Sequence, residues 1–170
     1  MRIPSSIDRR MIQSYLGDHL TGATAGRARA HKMAEWYGDS ELGADLDRIA
    51  RELDEELDHL AAVIDRLGLH QPLPLRLLAR AGELVGRLKP NGRILTSTPT
   101  TPLLELELFR GAVNAKKGLW EVLSEHADQL GLDRAEHDRL AQQAADQAET
   151  LANLHAMIRD RAFRRESAPG

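Results

Sequence analysis

The sequence predicts an all-α protein, an antiparallel four-helix bundle in which a long connection separates two helical hairpins. Three observations carry this expectation. Apolar residues recur at heptad spacing over four long stretches, and glycine or proline punctuates the gaps between them. The composition is rich in helix formers and holds only 4 % aromatic residues, which suits helices better than sheets. At 170 residues the chain can bury a real core, and one domain over 1–170 is expected.

Start and stop signals place the elements in order. Helix A is predicted over about 6–37, opening after Ser5 or Ser6 and stopped by Gly38. Helix B follows over about 40–67, capped by Asp39 or Ser40 and closed by Gly68. A shorter helix over about 74–88 ends at Lys89-Pro90-Asn91-Gly92, and the stretch Thr96-Ser97-Thr98-Pro99-Thr100-Thr101 cannot be helical. Helix C, about 101–130, has Pro102 at its first position behind Thr101 and ends at Gly131. Helix D, about 133–165, opens on Asp133 with Glu136 three residues on, and runs out before Ser167-Ala168-Pro169-Gly170.

Hairpin geometry then pairs the stripes. A turn near Gly38-Asp39 makes facing residues of A and B sum to about 76. Ile12 meets Ile64, Leu16 meets Leu60, Ala23 meets Leu53, Gly26 meets Ile49, Ala30 meets Leu46 and Met33 meets Leu42. Small residues on A oppose large ones on B, a pattern that predicts a close-packed seam. For C and D the sum is about 264, pairing Leu106 with Ile158, Phe109 with Leu154, Val113 with Leu151, Trp120 with Ala144 and Leu123 with Leu140. If the segment between B and C climbs back along the bundle, the two turns lie at opposite ends.

Each hairpin breaks its apolar pattern once near mid-length. His19 stands opposite Glu56, and Lys116 stands opposite Gln147. A carboxylate facing only leucines would cost several kcal/mol, so a partner is expected. The preferred reading is a structural polar layer of His19, Glu56, Lys116 and Gln147, with Glu56 paired to Lys116. The alternative is a metal site. Glu56-Leu57-Asp58-His59 sets a carboxylate and an imidazole on one helical face, and His19 and Glu121 would complete a ligand set suited to iron, manganese or zinc. Helix D lacks a second such step, since Glu149 and His155 lie on different faces. His31 with Glu35 reads as an exposed helical pair, and His70, His126 and His137 sit near helix ends, where exposure is expected.

Other classes of function find little support. There is no cysteine, which excludes disulfides, thiolate ligands and thiol catalysis. The net charge of −3 argues against a dedicated nucleic-acid binder. Arg76, Arg80, Arg87, Lys89 and Arg93 make the connection basic, but no aromatic residues interleave to stack bases. That basic segment is expected to pack across acidic helix B. No apolar run approaches the ~20 residues of a membrane span, the first residues lack the apolar core of a signal peptide, and a cytoplasmic location is expected. No phosphate-binding glycine loop is present, and nothing supports a serine triad.

Four long helices joined B to C by about 33 residues resemble the ferritin-like architecture with its long crossover. In motifs the resemblance rests on Glu56 and His59. Locally, Tyr15-Leu16-Gly17-Asp18-His19-Leu20, Gly22-Ala23-Thr24-Ala25, and the run from Leu106-Glu107 through Lys116 to Leu119-Trp120 resemble a group of uncharacterised actinobacterial helical proteins. The resemblance implies a fold and no reaction. The sequence therefore points to a non-catalytic helical protein acting through protein–protein contacts, as a homodimer and without a cofactor. Metal binding by His19, Glu56, His59 and Glu121 is the alternative.

Overall fold

The structure, a computed structural model, describes residues 3–69 and 100–163. The expected short helix at 74–88 and its basic residues lie outside the described residues, as does His70. Every regular element among the described residues is helical: α1 (Arg9–Trp36), α2 (Gly43–Arg66), α3 (Thr101–Glu125), the single turn α4 (Ala127–Leu130) and α5 (Arg134–Arg159). None is long and apolar enough to cross a membrane.

The caps correct several expected boundaries. Helix A starts at Arg9, because the Asp8 carboxylate accepts from the Arg10 and Met11 amides at 2.8 and 3.2 Å. An ionised cap at the positive helix end outcompetes the serine hydroxyls of Ser5 and Ser6. Helix B starts at Gly43 rather than near 40. Ser40 instead closes the turn, its hydroxyl donating to the Tyr37 carbonyl at 2.7 Å while accepting from the Leu42 amide. The expected helix C is broken at His126, after which α4 tucks Ala127 and Leu130 into the core. Thr100, not Thr101, is the residue preceding α3, and it makes no side-chain cap bond. Asp133 caps α5 as its spacing suggests, accepting from Ala135 and Glu136, but the helix ends at Arg159 rather than near 165. Gly68 and Gly131 terminate their elements with φ of 64° and 60°, a left-handed conformation that costs other residues a Cβ clash.

Helix α1 packs along α2 and α3 along α5, while α1 touches α3 and α2 touches α5 more sparingly. One core runs through all of them, from Leu16, Leu46, Ile49 and Leu60 to Leu106, Trp120, Leu123 and Leu151. Cross-contacts set the directions. At one end the Tyr37 hydroxyl donates to Glu105 at 2.7 Å, and Arg161 meets Glu41. At the other, Arg66 donates to the Gly131 carbonyl at 2.7 Å. The turn at 37–42 and the turn at Gly131 therefore stand at opposite ends, and α2 and α3 run in the same direction.

Candidate functional site

The heptad rows of α2 place Glu56 among leucines, and its carboxylate is only 3 % exposed. The fold supplies partners from two other helices. Lys116 of α3 forms an ion pair with Glu56 Oε2. Gln143 and Gln147 of α5 each donate to Glu56 Oε1 at 3.0 Å. Gln147 also donates to Glu52 at 2.8 Å and accepts from the Lys116 ammonium. Burial pushes the Lys116 pKa down, and the neighbouring Glu56 opposes that shift. The result is a satisfied network between helices, which is what a buried charge requires.

His19 does not join it. Its ring stands edge-on to Tyr15 with centroids 4.6 Å apart, half-buried on the wall of a pocket next to Lys116 and Glu56. Burial lowers the His19 pKa and the neighbouring Asp18 partly offsets this. The four residues of the alternative metal set are not gathered at one point. Glu121 is exposed and paired with Lys117, and His59 faces the rings of Trp120 and His137. Among the described residues no three His, Asp or Glu side chains gather as metal ligands. The Glu-x-x-His spacing aligns two side chains on one helix, but it does not bring the other helices' ligands to them. His31 bonds Asp54 rather than Glu35, and His155 bonds Glu107.

The pocket is the main departure from the expected close-packed seam. A cavity of about 310 Å³ opens between α1, α2 and α3. Gly22, Ala23 and Gly26 line it from α1, Leu53, Leu57 and Leu60 from α2, and Phe109, Ala112, Val113 and Trp120 from α3. Glu56 and Lys116 form part of its wall, and the exposed Asp18 and Arg27 stand at its edge. A Cβ added at Gly22 or Gly26 would meet no atom within 4 Å. The small side chains there leave space instead of drawing the helices together.

His137 is the second departure. Expected at the surface near a helix end, it is 1 % exposed. Its position was legible in principle, since 137, 140, 144, 147, 151 and 154 form one heptad stripe and all are buried. Its ring lies 5.3 Å from that of His59 and 6.2 Å from that of Trp120. No protein family, no curated protein and no solved structure matches this chain.

Proposed function

We propose that the protein is a non-catalytic helical bundle that binds a small, largely apolar molecule in the pocket between α1, α2 and α3. The observation that carries this is the space left at Gly22 and Gly26 beside the apolar faces of Leu53, Leu60, Phe109 and Trp120. A concave apolar cleft with a few fixed polar groups is the usual form of a small-molecule site. Its volume is roughly twice the ~150 Å³ of an engineered dry cavity that holds benzene. The Glu56–Lys116 pair is already satisfied by Gln143 and Gln147, so the ligand the wall favours is neutral overall, such as a fused-ring aromatic or a medium-chain alcohol.

Calorimetric titration with indole, naphthalene and short alkanols tests the proposal. Saturable binding that raises the melting temperature is expected. Gly26→Leu, which fills the space, should abolish binding while leaving the protein helical. Binding undiminished in Gly26→Leu would sink the idea, as would the absence of binding by every probe.

We read the architecture as an antiparallel four-helix bundle of ferritin-like connectivity. Support comes from the common direction of α2 and α3 and from turns at opposite ends.

A second reading, contact with another protein surface including a second copy of this chain, is favoured by one observation. Leu104 and Leu108, one turn apart on the outer face of α3, are each 56 % exposed. Trp36 stands nearby, its ring under Arg29, which also pairs with Glu105. Sedimentation of the wild type and of Leu104→Glu/Leu108→Glu tests this: a wild type that stays monomeric at all concentrations speaks against a homodimer.

A further inference from the structure

We propose that the outer face of α3 is a seam for a second copy of this chain, with the two α3 helices packed antiparallel about a two-fold axis level with Val113. The inference rests on the second reading above and names its partner, helix and register.

Helix α3 carries two apolar stripes where a surface helix needs one. The inner stripe of Leu106, Phe109, Val113, Trp120 and Leu123 is buried in the bundle. The outer stripe is Leu104, Leu108, Gly111, Ala115, Gly118 and Val122, in alternating steps of four and three residues with no polar residue among them. Such spacing holds one side of a helix against a partner helix along its length. Leu104 and Leu108 are each 56 % exposed, Gly111 and Ala115 are exposed, and Gly118 and Val122 are half-buried.

The glycines are an independent observation. Gly111 and Gly118 lie inside a 25-residue helix, where glycine weakens the element through its conformational entropy. Among the described residues nothing requires them. A Cβ built at either would meet no atom within 4 Å, and positive φ occurs at Gly68 and Gly131 instead. What a bare backbone on an outer face does provide is close approach by another chain.

Self-complementarity sets the partner and the direction. In antiparallel pairing, facing positions sum to 226, so Leu104 meets the partner's Val122, Leu108 meets the partner's Gly118, and Gly111 meets the partner's Ala115. The Leu108 side chain fills the space over the opposite glycine. A parallel pair would set leucine on leucine and glycine on glycine, holding the helices apart where the glycines call for contact. The area also suffices. Helix α1 stands beside α3, tied to it by the Arg29–Glu105 ion pair, and the exposed Trp36 extends the apolar end. Two adjacent helices, each ~10 Å wide and ~37 Å long, present roughly 740 Å², close to the ~800 Å² per partner of a stable interface.

The test combines sedimentation of the full chain with thiol crosslinking, for which the absence of cysteine leaves a clean background. A concentration-dependent dimer is expected. A short bifunctional thiol crosslinker should join Ala115→Cys to itself, since its two copies lie only ~6 Å apart along the axis. It should not join Leu104→Cys to itself across ~27 Å, but should join Leu104→Cys to Val122→Cys when the two variants are mixed. Gly118→Leu puts its side chain into open space in the single chain and should leave helicity by circular dichroism intact. Dimerisation should weaken at least about 30-fold, because each dimer holds two overpacked layers. A wild type that is monomeric at every concentration, the result if a different protein covers this face, overturns the proposal together with the homodimer reading beneath it. A dimer that Gly118→Leu leaves intact, or in which Leu104→Cys couples to itself, keeps the homodimer and overturns the antiparallel α3 seam.

Discussion

Glu56 shows how a single residue commits three helices to one arrangement. Its carboxylate joins α2 to Lys116 on α3 and to Gln143 and Gln147 on α5. Glu56→Ala strands the Lys116 ammonium and should destabilise the fold by about 3 to 5 kcal/mol in urea unfolding. Replacing Glu56 and Lys116 together by methionine should cost much less, because Gln147 keeps its bond to Glu52. Equal losses in the single and double variants would refute a buried ion pair. His19 gives a pH signature. Its folded pKa is lowered by burial, so the unfolded chain takes up the proton more readily. Stability is therefore fully present above the unfolded value of about 6.5 and declines as pH falls through that value. In His19→Phe that decline between about pH 7 and pH 5 should be shallower. Some slope should remain, since burial gives His59 a shift of the same sign.

At the level of elements, the turns are more tightly specified than the helices. Gly43 opens α2 where a Cβ would lie 2.2 Å from the Gly38 carbonyl oxygen, a backbone atom that cannot swing aside. Gly43→Ala should cost about 3 kcal/mol or more, whereas an alanine at Gly22, where nothing lies within 4 Å, should stabilise by about 1 kcal/mol through helix propensity. Thermal unfolding of the two variants checks this, and a shift of the same sign in both would contradict the reading. Asp133→Ala removes a cap that accepts two amides and should cost about 1 kcal/mol. It leaves the His137 bond in place, because that bond goes to the Asp133 main-chain carbonyl.

For the whole molecule, the testable property is which ends meet. Arg161 and Glu41 pair at 2.7 Å, at the end opposite Gly131. The chain has no cysteine, so introduced pairs report cleanly. Glu41→Cys with Arg161→Cys should be bridged by a short bifunctional thiol crosslinker, which spans the reach of an arginine–carboxylate pair, and Glu41→Cys with Gly131→Cys, at opposite ends of the 24-residue α2, should not. The reverse pattern would place both turns at one end and dismantle the assigned helix directions.

Much of this architecture is written in the sequence because it follows from local rules. Burial on a helix recurs at fixed spacing, so the rows Leu46, Leu53, Leu60 and Leu106, Phe109, Val113 announce both elements and the faces they bury. Turn chemistry at Gly68, Gly131 and Asp133 is equally local. The Glu56–Lys116 pairing was legible for a related reason: a charge in a leucine row must find an opposite charge at its own depth, and few candidates existed. Two things depended on tertiary structure alone. Glycine and alanine at 22, 23 and 26 are compatible with two helices in contact or with a hole between them, and the packing of α1, α2 and α3 leaves the hole. The burial of His137, by contrast, is written in its heptad stripe, which its place near a helix end obscured. The scattering of His19, His59 and Glu121 follows from helix rotation and depth. Spacing along one helix does not contain these, since they are set by the sum of all contacts between helices.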